Sequence, residues 1–325
     1  MVWLMALFSA SAADGFREDL VMQFPASILL ARDQSIELDL LQRVEYISES
    51  MLGIPYLLNP EGEEEGVDPD PLLRFDRMDC LTYVELVMAL SITDSMESTL
   101  DVRNELRYLD SEISYQKRKH FMFSQWIPSN LDLGFLSDIS SQIGPTYSIE
   151  RNFKPSIWKY WRGRSKLPLE EYPQGVFQLD VLRVQDAIDN LKKIPSGSLL
   201  VVVRDSAAGN PVMVSHVGFV IWKGKKAKIR HATILGKPKS VKEHDLKWYL
   251  RHLTTYKWKV AGVAILLPKV PTDQPQTVEE ESKIEYKEVN FEDAPPPEAS
   301  LSQPMEENVD NPGQIQDGNE EENPK

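Results

Sequence analysis

The sequence predicts an α+β domain whose helices come first and whose strands close an antiparallel sheet. Two observations carry this expectation. Apolar residues recur at helical spacing in the first third of the chain, and β-branched runs of strand length fill the last third of the body. The chain has 325 residues, 42% hydrophobic and 26% charged, an ordinary globular mixture. No internal repeat is visible.

Residues 1–13 form a short apolar run ending in Ala10-Ser11-Ala12, the pattern of a secretory signal remnant that lacks a positive n-region; the alternative is a buried helix start. No stretch reaches the ~18–20 consecutive apolar residues that cross a bilayer. Leu38, Leu40, Leu41, Val44 and Ile47 mark one apolar helical face, and Gly53-Ile54-Pro55-Tyr56 ends that helix, because proline disfavours helix at the residue before it. The Glu, Gly and Pro of 59–71 read as a solvated loop. Leu81, Val84, Val87 and Met88 then form an apolar helical face, and Asp79 stands before it as a helix cap. A further helix is expected over 98–108, and His120, Phe121 and Trp126 follow in a polar-aromatic stretch.

Residues 151–174 mix Trp158, Tyr160 and Trp161 with six cations. Rings beside cations can line a sugar or nucleic-acid groove, or they can pin a long surface insertion. Strands are expected over 198–204, 212–222, 228–234 and 260–267, with a helix over 242–252 before the last. The domain is expected to span 14–270. From Pro271 the chain holds 16 Asp+Glu against 3 Lys+Arg and few large apolar residues, so 271–325 reads as a disordered acidic tail. That tail carries nearly all of the net charge of −14. The body is almost neutral, which argues against a nucleic-acid coat protein.

Cys80 is the single cysteine, so neither an internal disulfide nor a cysteine-based zinc site can form. A lone cysteine is either a small buried hydrophobe or a reactive thiol. After Asp79, Cys80 falls at the first helical position, where the positive helix end stabilises a thiolate and free backbone N–H groups can hold an oxyanion. A cysteine nucleophile needs a base. His216 interrupts the otherwise apolar Val214–Ile221 strand, and Gly218 leaves room on the same face. A turn near Lys223-Gly224 brings His231 opposite His216; a two-residue shift of pairing leaves the two diagonal on one face, and a one-residue slip separates the faces. His231 is then an orienter for His216, or the pair is simply packed in a core. His244 and His252 are placed on the late helix as surface residues.

Arg74-Phe75-Asp76-x-Met78-Asp79-Cys80-x-Thr82-Tyr83-Val84-Glu85, Arg107-Tyr108, His120-Phe121 with Trp126, Ser215-His216-Val217-Gly218 and His231-Ala232 occur in this order. In these motifs the chain resembles, from about Gly53 to Pro268, the DUF1460 group of N-acetylmuramoyl-L-alanine amidase-like proteins, a branch of the NlpC/P60 cysteine peptidase superfamily. The resemblance implies a papain-like core with a Cys80–His216–His231 triad that cleaves the N-acetylmuramoyl-L-alanine bond of bacterial cell-wall fragments. Asp79, Tyr83, His120, Trp126 and Ser215 are candidate substrate contacts, the alternatives being a plain helix cap for Asp79 and a helix-end cap or surface residue for His120. No metal or organic cofactor is implied, and a periplasmic or secreted location follows from the substrate. A γ-D-glutamyl-diamino acid endopeptidase and a non-catalytic wall-binding protein are the competing readings. The chain departs from the family pattern at Gln125, usually acidic, and at Asp110-Ser111, usually Asp-Gly; the acidic tail has no counterpart in it.

Overall fold

The computed structural model describes residues 23–161, 166–205 and 210–272. The expected signal remnant and nearly all of the acidic tail lie outside them, as do the side chains of Tyr160 and Trp161. The α+β class is observed. Helices α1 (Ala26–Ser35), α2 (Leu40–Ser50), α3 (Cys80–Ile92), α4 (Met96–Arg107) and α5 (Ile127–Asp132) precede most of the sheet. Short helices α6 (Ser140–Ile143), α7 (Pro155–Trp161) and α8 (Val184–Asp189) lie among the strands, and α9 (Leu246–Leu253) precedes the last one.

The strands are β1 (Leu136–Asp138), β2 (Thr146–Phe153), β3 (Gly175–Leu182), β4 (Leu199–Arg204), β5 (Val214–Lys223), β6 (Lys226–Thr233), β7 (Ser240–Asp245) and β8 (Val260–Pro268). They form one antiparallel sheet in the order β2-β3-β8-β4-β5-β6-β7, with β1 on β8. The four strands expected from sequence are β4, β5, β6 and β8. The expected helix over 242–252 is split: Ser240–Asp245 is strand, and helix starts only at Leu246. The boundary is chemical, because the Asp245 carboxylate accepts from the Trp248 N–H at 2.9 Å and caps the helix there.

Residues 151–174 are not one loop. Arg151–Phe153 ends β2, and Trp158 is fully buried, stacked on Tyr172 at 4.8 Å and donating to the Pro173 carbonyl at 2.8 Å. Trp158 also packs against Phe121 at 4.8 Å, and this contact pins the segment to the body.

Two apolar layers cover the sheet. Val201, Val203, Val217, Phe219 and Ala232 face α3, whose residues from Thr82 to Ser91 are all buried. Tyr83 meets Phe219 edge-on at 5.8 Å across this layer. The alternate residues Leu200, Val202, Val220 and Ile229 face α9 through Leu246, Tyr249, Leu250 and Leu253. The period-two alternation of the strands thus gives each face its own helix.

The Glu-rich segment 59–71 corrects the expectation of a solvated loop. Glu61 and Glu63 are buried. Arg103 pairs with Glu61, and Arg118 binds both Glu63 oxygens at 2.7 Å and Asp68 at 2.8 Å. Charges that looked destined for water are neutralised by arginines far along the chain.

Candidate active site

Cys80 opens α3, and the reason lies one residue earlier. One Asp79 carboxylate oxygen accepts from the N–H groups of Leu81 (3.0 Å) and Thr82 (2.9 Å), while the Thr82 hydroxyl accepts from the Asp79 N–H at 3.0 Å. This reciprocal cap fixes where the helix begins. The other Asp79 oxygen accepts from Asn59 N–H at 3.1 Å, which ties the cap to the preceding segment. That segment is held in turn: Met78 N–H donates to Pro55 and Tyr56 N–H to Lys239, at 2.9 and 3.0 Å. The thiol is therefore carried by a rigid helix end, half-buried, with the backbone N–H of Val217 reaching its sulfur.

Val217 follows His216 on β5. Gly224, with φ 61°, makes the tight turn into β6, and the ladder pairs Phe219 with Arg230 before it stops. In this register Gly218 faces His231: a Cβ added at Gly218 would lie 2.7 Å from the His231 Cβ. His216 and His231 are thus diagonal neighbours on one face. His216 Nε2 and His231 Nδ1 are 2.6 Å apart, a full hydrogen bond. The row continues, since His231 Nε2 lies 2.8 Å from His244 Nδ1 on β7. The Tyr249 ring of α9 packs edge-on against His231 at 5.2 Å and lies 6.2 Å from His216. His244, expected on the helix surface, is instead a half-buried strand residue stacked on Trp248 at 5.4 Å.

Burial governs the protonation states. It pushes the Cys80 thiol up to about 12, with the Asp79 charge adding to the shift and the N–H groups of Val217, Cys80 and Leu81 opposing it. Burial also pushes His216 down to about 4, with His244 adding to the shift, and holds His231 well below the ordinary imidazole range. Desolvation outweighs the stabilisation that the helix end offers a thiolate, so Cys80 is held as the neutral thiol and His216 as the neutral imidazole. A thiol so held needs a base close by, and the imidazole is in the form that can serve.

The remaining sequence-predicted contacts scatter. Ser215 is half-buried and donates to the Val202 carbonyl at 3.3 Å. Tyr83 is fully buried, its hydroxyl donating to the Ser48 carbonyl at 3.2 Å. Trp126 is fully buried, its indole N–H donating to Glu85 at 2.9 Å. His120 Nε2 lies 2.6 Å from the Tyr115 carbonyl, and burial pushes its pKa down to about 4. Gln125, the departure before Trp126, accepts from the Phe121 N–H at 3.1 Å. The structure sets Asp79 and Cys80 against β5 at Val217, next in sequence to His216, joins His216 to His231, and places Tyr83 and Trp126 in the core. Sequence reasoning missed Tyr56 and Tyr249, each close enough to Cys80 for a thiolate to raise its phenol pKa, after burial as the main cause. Tyr56 lay in a segment read only as a helix stop. Among the described residues no group of three or more His, Cys, Asp or Glu is arranged to hold a metal ion. Four of the six ring nitrogens of the row are engaged on one another.

A family model described as AmiA-like, N-acetylmuramoyl-L-alanine amidase-like, matches residues 46–256. Among solved structures, a Legionella pneumophila protein of family DUF1460 superposes with a TM-score of 0.66 at 23% identity, over 76% of this chain and 95% of its own. A Bacteroides fragilis protein provisionally described as a xylanase gives 0.55 at 20% identity, over 68% and 98%. An N-acetylmuramoyl-L-alanine amidase from Bacteroides uniformis gives 0.57 at 21% identity, over 71% and 99%. At these identities the structures share the fold. No curated protein matches the sequence.

Proposed function

The chain belongs to the AmiA-like family of N-acetylmuramoyl-L-alanine amidase-like proteins, and on that footing we propose that it is a cysteine amidase of bacterial cell-wall fragments. One observation carries the chemistry: a capped helix end delivers the only thiol of the chain to the strand that bears His216, and His216 is hydrogen-bonded to His231. Nucleophile, base and orienter are then Cys80, His216 and His231.

His231 occupies His216 Nε2, so Nδ1 is the ring nitrogen free to take the thiol proton. As that proton moves to His216, the sulfur attacks the lactyl carbonyl of N-acetylmuramic acid. The backbone N–H of Cys80, at the helix end, stabilises the oxyanion. Collapse breaks the C–N bond, and His216 returns the proton to the departing amine of L-Ala. Water, giving a proton to His216, then hydrolyses the thioester, leaving the muramic acid carboxylate and the thiol. The transient thiolate–imidazolium pair is formed only during reaction, when the attacked carbonyl disperses the charge. A glycosidase would instead need two carboxyl groups flanking the scissile bond. The carboxylate beside Cys80, that of Asp79, is engaged on both oxygens by backbone N–H groups.

The substrate class implies a location outside the cytoplasm. Among the described residues no helix is long and apolar enough to cross a membrane. The test is a digest of a purified disaccharide–peptide muropeptide, read by mass spectrometry. Free disaccharide plus intact peptide is expected from wild type and none from Cys80→Ala, a loss of about 1,000-fold or more. A retained L-Ala–D-Glu stub would instead make the enzyme a γ-D-glutamyl endopeptidase. Activity surviving in Cys80→Ala would remove the nucleophile assignment.

A further inference from the structure

The imidazole row does not end at His231, and its last member has no part in the reaction just described. His231 is fully buried, with both ring nitrogens engaged: Nδ1 by His216 at 2.6 Å and Nε2 by His244 at 2.8 Å. Each of these bonds needs one N–H and one lone pair, and a neutral imidazole has one of each. The protons are therefore not independent.

If His216 keeps its Nδ1 lone pair to receive the thiol proton, its own proton sits on Nε2 and is donated to His231 Nδ1. His231 must then carry its proton on Nε2 and donate it to His244 Nδ1. Reversing the row puts a proton on His216 Nδ1, and the base is lost. Burial holds all three rings to the neutral form that this argument requires.

We propose that His244 is a positioning residue for catalysis: as the acceptor for His231 Nε2–H, it sets one tautomer along the row and keeps His216 Nδ1 free to act as the base. Stacking on Trp248 and the β7 register opposite Ile229 hold the His244 ring for this task. Without His244 the buried His231 N–H loses its acceptor. The alternative tautomer, with the proton on Nδ1 and donated to His216, then becomes the cheaper one, because a buried donor left unpaired is costly. The inference rests on Cys80 and His216 as nucleophile and base.

The experiment compares His244→Ala with His244→Asn, whose amide oxygen can stand in for Nδ1 as acceptor. On the muropeptide, His244→Ala is expected to lower kcat about 10- to 100-fold with KM within about twofold, and His244→Asn to recover most of it. An unchanged kcat in His244→Ala, or no recovery in His244→Asn, overturns the proposal. Should either variant fail to fold, nitrogen-15 NMR of the wild-type protein decides: a protonated Nε2 and a bare Nδ1 on His231 are expected, and the reverse overturns the proposal. The NMR result needs no substrate. Wild type inactive on the muropeptide would therefore sink the proposed reaction while the tautomer question is still answered. Active wild type with the reversed tautomer would sink only the role of His244.

Discussion

The histidine row under α9 and the charge cluster beside α3 are both polar and largely buried, and both include residues of the sequence motifs. They differ in what is left over. In the cluster, Glu85 takes Arg107 on one oxygen and the Trp126 indole on the other, each at 2.9 Å. Arg107 also donates to the Glu61 carbonyl at 3.0 Å, and Arg103 to Glu61 and the Leu72 carbonyl. Carboxylates and arginines answer one another, and the result staples segment 59–73 to α3 and α4. In the row, each bond between neutral rings fixes the next, and the proposed tautomer leaves the His216 Nδ1 lone pair open. A buried polar motif can act as a base only where its bonding leaves a lone pair to spare; the atom left over in the cluster, Arg107 Nε–H, is a donor on a group that stays protonated.

The largest test of this contrast is in the cluster. Arg107→Met keeps the bulk and removes the charge, leaving Glu85 and Glu61 buried with too few partners. The expected loss is about 3–5 kcal/mol, read from urea unfolding. A loss below about 1 kcal/mol would mean that the cluster is not the staple described. The corresponding test in the row is Gly218→Ala. Its methyl would meet the His231 Cβ at 2.7 Å and the Arg230 carbonyl at 3.1 Å, so His231 must move. The expected cost falls on kcat, about 10- to 100-fold, because a small displacement of a catalytic group is felt that strongly. An unchanged kcat would break the link between the glycine and the row.

The buried imidazoles make the stability of the fold sensitive to acid. His120, His216, His231 and His244 are all pushed down by burial, His120 and His216 to about 4. In the unfolded chain they take up protons near 6.5. Between these values the unfolded state binds more protons, so the stability they confer is full above about pH 6.5 and is lost as pH falls toward 4. Each fully buried imidazole contributes a slope of at most about 1.4 kcal/mol per pH unit. Urea midpoints between pH 6.5 and 5, above the ordinary carboxylate range, should fall with acid, and His231→Asn should flatten that fall. A flat profile in wild type would contradict the buried, neutral row.

What the sequence made legible follows the range of the interaction. Asp79 caps its own helix and Gly224 makes its own turn, so the place of Cys80 and the hairpin that brings His216 and His231 near each other could be read locally. The diagonal register could be read only as one of three pairings, one of which separates the two faces, because exact pairing is not local. His244 was misplaced by reading helix across Asp245, although that residue, three before Trp248, was itself the cap signal. The burial of Glu61 and Glu63 was not legible at all. Their partners Arg103 and Arg118 lie 42 and 55 residues away, and nothing in a Glu-Gly-Pro run announces them.

Trp126 offers the finest cut between the two regions, because the motif resemblance suggests a substrate contact and the structure gives it a partner in the core. Trp126→Phe keeps a ring and removes only the N–H that Glu85 accepts. Glu85 retains Arg107, so the expected cost is one hydrogen bond to a charged group, about 1.5 kcal/mol of stability. If the indole serves the frame, kcat/KM on the muropeptide stays within about twofold of wild type once the variant is folded. A drop beyond tenfold with stability intact would move Trp126 from the cluster to the substrate. The distinction between satisfied and open polar groups would then have failed at the residue where the two readings differ most.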